Sequence, residues 1–385
     1  MTVNVNQFMT ALTIGPRVRK SPFFDRTITA GAKAFTVYNH MYLPTSYGDP
    51  LEEYWNLVKG VTLWDVGCER QVEISGPEAL ALTQLLTPRD VASCPVDRCR
   101  YVVFTDHDGG IINDAVLLRL EENRIWLSPG DGDVLLWAKG VAAASGLDVR
   151  VEEPDVSPLQ LQGPLAPKVA RKLFGDVAVE MGYFHMRQLE LDGIPVVLSR
   201  TGWSGELGYE IFLRDGSRGS ELWDKCMAAG EEFGIVPACP STPRSIEGCI
   251  LSYCSDITRE DNPFTIGMER LLDLEKPQDY IGKAALQRIA EEGPRRRLVG
   301  VEISGDPLGG NDCFWDVRRG SDVVGHLTRC SWSPRLERNI GLVNVPTELS
   351  EVGTDFLISA LVGDREARVV PTPWFKSITR IPEDL

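Results

Sequence analysis

Long apolar runs are missing from this sequence: no stretch approaches the ~20 continuous apolar residues that a membrane-spanning helix needs, so no membrane partner is expected. Positive charge is scarce as well. Lys and Arg number 40 against 55 Asp and Glu, a formal net charge of −15. A phosphate backbone is held by clustered cations, so nucleic acid is excluded as a partner. The one tight basic run, Arg295-Arg296-Arg297, precedes an apparent strand and reads as a solvated linker edge. Histidine is rare: His40, His107, His185 and His326 stand at no ligand spacing to one another or to cysteine, and no metal site is expected. The nine cysteines form no C-x-x-C pair, which reads as reduced thiols in a cytoplasm and not as a disulfide frame. G-x-S-x-G, the P-loop and G-x-G-x-x-G are all absent, so hydrolase, kinase and dinucleotide readings lose their usual support. The first 22 residues carry no apolar core ahead of a small-residue cleavage site. No signal peptide is read there, and the basic patch from Arg17 to Lys20 is taken as a loose arm.

What is there is an ordinary globular balance, 43% hydrophobic and 25% charged over 385 residues, which predicts a soluble protein of two or three domains. Alternation in "RQVEI", then "SGPEALALTQLL", predicts strand, turn and helix. "RCRYVVFTD", "GGIINDAVLLRLEE" and "NRIWLSP" predict three strands, and "DGDVLLWAKGVAAASG" a helix closing on Gly146. The run "SPLQLQGPLAPKVARKLFG" repeats the design of "RQVEISGPEALALTQLL". This internal echo suggests two related sheets facing one another. "ELWDKCMAAGEEFG" is a further helix, ending on Gly234. After "EEGPRRR" the chain turns to short strands, a β-rich C-terminal domain of sandwich or barrel type.

Two carboxylates stand out. In "RTGWSGELGYEIFL" Glu210 interrupts an apolar run, which strand alternation permits if its side chain simply points to solvent. Asp114 in "IINDAV" reads equally as a strand-entry residue bonding its own backbone. Tyr101, in "RCRYVVF", reads as a core aromatic.

Taken in order, "GGIINDAVLL", "QGPLA", "RTGWSGELGYEIF", "NPFTIGMERLLDLEKPQDYIGKAAL" and "GHLTRCSWSPRLERNIGLVNV" resemble the signature stretches of the folate-dependent aminomethyltransferase family, the T-protein of glycine cleavage. The similarity runs over about 35–375. "YNHMYLP", "LWDVGCERQVEISGP", "LTPRD", "DVLLWAKG", "EPDVSPL" and "LSYCSDITREDNP" lie nearer the family's dimethylsulfoniopropionate demethylase branch.

The resemblance implies an α+β fold, a three-domain cloverleaf. It would comprise two antiparallel α+β domains (1–60 with 147–250, and 61–146), a helical connection (251–290) and a C-terminal β-barrel or jelly-roll-like domain (291–385), with tetrahydrofolate in a central funnel. It implies an enzyme that uses tetrahydrofolate as methyl acceptor and a small methylated donor, dimethylsulfoniopropionate first. The oligomeric state stays open, a homodimer included. Glu210 falls where the family binds the pterin, whose flat pair of N–H donors suits the two oxygens of a carboxylate. Asp114 matches the family's catalytic aspartate, beside folate N5. Tyr101 matches a folate-contacting tyrosine, and Ser128 lies near a folate-contacting asparagine. Trp203 would stack on the pterin or line the donor pocket, with Phe184 and Tyr183 as further substrate-binding aromatics. Two places depart from the branch: "GELGYE" stands where it reads K-Q-G-G-Y-E, and its arginine before "LSY" falls on Ser245, with Arg244 one place earlier. Glycine-cleavage aminomethyl transfer from a lipoyl carrier, and a non-catalytic folate-binding scaffold, are the alternatives.

Overall fold

The computed structural model describes residues 14–382; the first 13 residues, most of the stretch read for a signal peptide, lie outside them. The described chain opens with α1 (Phe24–Thr29) and a hairpin of β1 (Ala34–Tyr38) and β2 (Met41–Ser46). Its two turn residues, Asn39 and His40, have φ of 49° and 61°. That is the mirror-image turn whose twist matches paired strands. The basic arm before it is docked and not loose. The Arg19 backbone N–H donates to the His40 carbonyl at 2.8 Å, and its guanidinium reaches Glu153 at 2.7 Å. Next comes α2 (Pro50–Lys59), capped by the Asp49 side chain with proline in its first turn, and then β3 (Thr62–Asp65).

Two units of one design follow. The first is β4 (Val72–Ser75), α3 (Ala79–Leu86), β5 (Arg98–Thr105), β6 (Ile111–Glu121), β7 (Arg124–Pro129), α4 (Val134–Ser145) and β8 (Arg150–Glu152). The second is β9 (Ser157–Gln162), α5 (Ala166–Phe174), α6 (Asp176–Glu180), β10 (Met186–Leu191), β11 (Ile194–Ser199), β12 (Gly208–Leu213), α7 (Gly219–Gly230) and β13 (Val236–Ala238). In each, a strand and helix lead into a three-strand meander whose last strand pairs back on the first, giving the orders β5-β6-β7-β4-β8 and β10-β11-β12-β9-β3-β13. The repeated Gly-Pro turn has one physical cause. Gly76 and Gly163 hold φ of +121° and +123°, and a Cβ there would come within 2.7 Å of the Asp148 carbonyl and 2.5 Å of the Gly60 carbonyl.

The strand pairings redraw the expected boundaries. β3, placed in the 61–146 unit, pairs antiparallel with β9, whereas β8, placed in the other unit, pairs antiparallel with β4. The two strands fill equivalent seats in opposite sheets.

Alternation then divides the side chains. Ala115, Leu117, Ile125 and Leu127 pack under the helices of the first unit, and Val196, Leu198, Ile211 and Leu213 under those of the second. The intervening Leu118, Trp126, Val197 and Phe212 meet in a separate core between the sheets. The sheets do face one another.

After α8 (Thr242–Glu247), the segment expected to be a helical connection is helical only at 269–271 and in α9 (Lys283–Glu292). Side chains take the backbone donors that a helix would use: Asp256 accepts from Ser252 N, Asp261 from Thr258 N and Asn262 from Phe264 N, all at 2.9–3.0 Å.

The C-terminal domain is a closed six-stranded barrel of β14 (Arg296–Ile303), β15 (Trp315–Arg319), β16 (Asp322–Ser333), β17 (Arg338–Pro346), β18 (Asp355–Ala360) and β19 (Gly363–Val369). Arg296 and Arg297 belong to β14 and do not form a linker edge. Arg296 donates to Asn344 Oδ1 at 2.7 Å, and Arg297 pairs with Glu269 at 2.8 Å. Ile340 and Leu342 of the barrel pack against Ile246, Leu251, Ile257 and Ile266. The tail beyond the barrel returns to the sheets, where Ile378 N–H donates to the Gly205 carbonyl at 2.9 Å.

Candidate active site

A cavity of about 1060 Å³ opens where the sheets, the β1–β2 hairpin, the 248–255 loop and Arg329 of the barrel converge. Strand alternation aims the site residues into it. Two residues before Val116 on β6 is Asp114; two before Phe212 on β12 is Glu210; two after Trp126 on β7 is Ser128; two after Cys99 on β5 is Tyr101.

Asp114 accepts a hydrogen bond from the Tyr101 hydroxyl on Oδ2 at 2.7 Å, while its buried Oδ1 has no partner among the described residues. Burial pushes its pKa up to about 6, against the opposing effect of the Tyr101 bond. Burial, then the Asp114 charge, pushes the Tyr101 phenol well up, so it stays a donor.

Glu210 is only 3% exposed. Its Oε1 accepts from Gln160, the residue directly opposite on β9, at 2.9 Å, and its Oε2 accepts from the Thr201 hydroxyl. The same Gln160 amide donates to Glu69 at 3.3 Å. Glu69 was missed from the sequence; it lies in the irregular stretch between β3 and β4, where no periodicity could flag it. Burial, reinforced by the Glu210 charge, pushes its pKa well up. Ser128, expected at folate, is already committed: its hydroxyl donates to Glu69 at 3.0 Å and accepts from Gln71 at 2.8 Å. It orients a carboxylate.

Around the carboxylates stands an aromatic wall. Trp203 is held by its indole N–H to the Leu251 carbonyl at 3.1 Å, and the Arg329 guanidinium lies 5.8 Å from its ring centroid. Tyr38 also lines the cavity; burial first, then Cys68, Asp114 and Glu69, raise its pKa well above the usual phenol value. Its hairpin is pinned there, because Asn39 donates to Asp131 and to the Gly130 carbonyl at 2.8 and 2.9 Å and accepts from Gly132 N–H at 2.7 Å. Phe184 and Tyr183 line another part of the wall, ring centroids 4.7 Å apart, with Phe184 at φ 60°. That is an uncommon conformation for a bulky residue. It is held by two backbone bonds, Phe184 N–H to the Arg200 carbonyl and Cys99 N–H to the Phe184 carbonyl.

The glycine-rich loop before β12 wraps a second buried network. Gln162 fills the space over Gly208, where a Cβ would sit 2.2 Å from its Oε1. Arg244 does not reach into open space: its Nε donates to Glu206 at 2.6 Å with both side chains 1% exposed, and a second nitrogen bonds the Gly205 carbonyl at 2.9 Å. The two departures read from the sequence are therefore one ion pair. Ser245 accepts from Arg329 at 2.9 Å. Among the described residues no group of three or more His, Cys, Asp or Glu is placed to hold a metal, and no helix is long and apolar enough to cross a membrane.

Comparison with known proteins agrees with this architecture. Residues 23–276 match the GCVT N-terminal domain and residues 296–376 the glycine cleavage T-protein C-terminal barrel domain. The chain is 37% identical over 358 residues to the dimethylsulfoniopropionate demethylase DmdA of Ruegeria pomeroyi, covering 93% of this chain and 98% of that one. It is 32% identical to an aminomethyltransferase of Symbiobacterium thermophilum, covering 94% and 98%. The structure of glycine cleavage system aminomethyltransferase T from Bartonella henselae superposes with a TM-score of 0.84 at 21% identity, covering 94% of this chain and 99% of that one, and so shares the fold. The chain is an enzyme that belongs to the glycine-cleavage T-protein family of aminomethyltransferases.

Proposed function

We propose that this enzyme is a tetrahydrofolate-dependent demethylase that takes a methyl group from a small onium donor, dimethylsulfoniopropionate first. In the reaction folate N5 gains the methyl and loses its proton, while the electron pair of the broken carbon–sulfur bond stays on sulfur as a thioether. The observation that carries the reading is Asp114 Oδ1, a buried acceptor without a partner among the described residues, in the cavity that Glu210 shares. Buried acceptors are rarely left unmet, so the site suits a ligand that brings N–H donors or positive charge.

The residues present fit a pterin. Glu210 accepts from Gln160 and Thr201 and shares a hydrogen bond with Glu69, and the four lone-pair sites of a carboxylate leave capacity for a flat donor pair. Glu69, bound to the same Gln160 amide, adds acceptor capacity beside it. Asp114, with its pKa near neutrality, is suited to orient an N–H and take up its proton. Transfer of an onium methyl depends on alignment and desolvation more than on a strong base, which a buried funnel supplies.

The donor fits best at Tyr38, whose ring stands near Asp114 and Glu69, because a cation is favoured by aromatic faces and neighbouring carboxylates alike. Trp203, with Arg329 over its ring, suits the folate or the carboxylate end of a zwitterionic donor instead. The 37% identity with the Ruegeria demethylase over 93% of the chain supports that donor class. A non-catalytic scaffold would have no use for the unmet Asp114 oxygen.

Incubation with tetrahydrofolate and a panel of sulfonium, ammonium and methoxy donors, followed by mass analysis, should yield 5-methyltetrahydrofolate with dimethylsulfoniopropionate. Turnover confined to an aminomethylated lipoyl carrier would establish the glycine-cleavage reaction in its place.

A further inference from the structure

Buried glutamates elsewhere in the chain are neutralised by arginine: Glu73 by Arg124 at 2.8 Å, Glu206 by Arg244 at 2.6 Å and Glu247 by Arg335 at 2.6 Å. Glu69 and Glu210, on the cavity wall, are not. Among the described residues their partners are neutral. Gln160 donates to both, at 2.9 Å to Glu210 and 3.3 Å to Glu69, while Ser128 donates to Glu69 and the Thr201 hydroxyl to Glu210. A single amide nitrogen thus gathers the two carboxyl groups, and they share a hydrogen bond with each other. Ionised carboxylates only accept, so a bond between two of them requires a proton on one.

No neighbouring cation relieves that requirement. The titratable groups facing the pair are Asp114 on β6, Tyr38 of the hairpin, Cys68 beside Glu69, Cys99 on β5 and Tyr183 ahead of β10, all acids. Arg200 and Arg329 line the same cavity but are committed elsewhere, Arg200 to the Met181 and Thr379 carbonyls and Arg329 to Asp256. The directions of titration agree. Burial raises both groups first, the Glu210 charge adds to the rise at Glu69, and their mutual bond raises Glu69 and lowers Glu210, as a donor and its acceptor should.

Resting on the folate reading above, we propose that Glu69 and Glu210 hold one proton between them in the free enzyme, with Glu69 as the acid, and that the pterin expels this proton as it binds. The 2-amino and ring N–H groups of a pterin are donors, and laid against two carboxyl groups they take the acceptor sites that the shared proton occupied. They stabilise the ionised pair, so the proton leaves for bulk water and no covalent bond to carbon changes. Folate affinity is thereby tied to pH through Glu69, separately from Asp114.

Calorimetry of the full-length protein with tetrahydrofolate, in buffers of different ionisation enthalpy across about pH 6.5–8.5, counts the protons released. Wild type should release up to about one proton per folate, its affinity rising by up to about tenfold per pH unit until the free pair ionises. Asp114, with a pKa of about 6, is already ionised at about pH 8, so D114N should release as much as wild type there. E69Q, whose amide replaces the acid as a donor to Glu210, should release none and bind with an affinity flat in pH. A wild-type binding heat that is the same in every buffer overturns the proposal whether or not the variants fold. Release that persists in a folded E69Q places the proton elsewhere and also overturns it. If E69Q does not fold, infrared difference spectra of the wild type decide: loss of a protonated-carboxyl stretch on folate binding supports the shared proton, and an unchanged carboxyl region overturns it. Failure to bind tetrahydrofolate refutes the functional reading itself, a distinct result.

Discussion

The two sheets are built on one plan yet face the cavity with opposite habits. On the six-stranded sheet the polar side chains satisfy one another: Gln160 and Thr201 bond Glu210, and Ser204 bonds Gln162 at 2.5 Å. On the five-stranded sheet Asp114 is held by a single tyrosine hydroxyl and keeps one oxygen unmet among the described residues. A duplicated scaffold has thus been divided into a locked side suited to binding and a poised side suited to chemistry. The locked side gains rigidity from its internal bonds, whereas the poised side bears the cost of a carboxylate whose pKa burial has raised to about 6.

The sharpest way to break this contrast is Asp114→Asn. Turnover to 5-methyltetrahydrofolate should fall by about 10²–10⁴-fold, the scale of a lost positioned proton acceptor, while folate affinity by calorimetry stays close to wild type. The melting temperature of the same variant should rise at neutral pH. A folded-state pKa of about 6 against an unfolded value of 3.8 means that the penalty of ionisation builds as the pH rises from 3.8 to about 6 and is complete at neutral pH, and asparagine removes it.

On the locked side, Glu210→Gln should weaken folate binding by about 1.5–3 kcal/mol, the range for hydrogen bonds to a charged group, with the near-ultraviolet circular dichroism of the fold retained. An affinity unchanged by that substitution would show that the locked side does not hold the pterin.

Smaller effects separate the aromatics. Tyr38→Leu should raise KM for a cationic donor by roughly 2–30-fold through loss of a cation–π contact, and leave KM for folate little altered. Trp203→Leu should do the reverse, since Arg329 already lies at its ring.

The mildest change is in the pH profile. The acid limb of kcat/KM should lie near pH 6, with activity lost as the pH falls and Asp114 takes up a proton. Tyr101→Phe removes the bond that holds this pKa down, so the limb should move to higher pH.

How far these features were legible from sequence depended on regularity. Alternation alone left Glu210 free to face solvent and Asp114 readable as a strand-entry residue; the family resemblance singled them out, and the Gly-Pro echo foretold the paired units. Glu69 escaped because it sits outside any periodic element. Ser128 does line the cavity, but its bonds to Gln71 and Glu69 could not be foreseen, because a hydroxyl's partners depend on what folds against it. The boundary strands were exchanged because short strands such as β3 and β8 carry no mark of the sheet they will join.

The buried contact between Arg244 and Glu206 bears on how such a sequence can drift. Losing Glu206 leaves Arg244 charged and dry with only the Gly205 carbonyl for company, and losing Arg244 leaves Glu206 with the more distant Arg335 at 3.9 Å, so neither position is free to wander by itself. Descendants that change one should be found to have changed the other. An engineer transplanting the "SGELGYE" loop into a related enzyme would have to carry the arginine of α8 with it, as one heritable unit 38 residues apart in the chain.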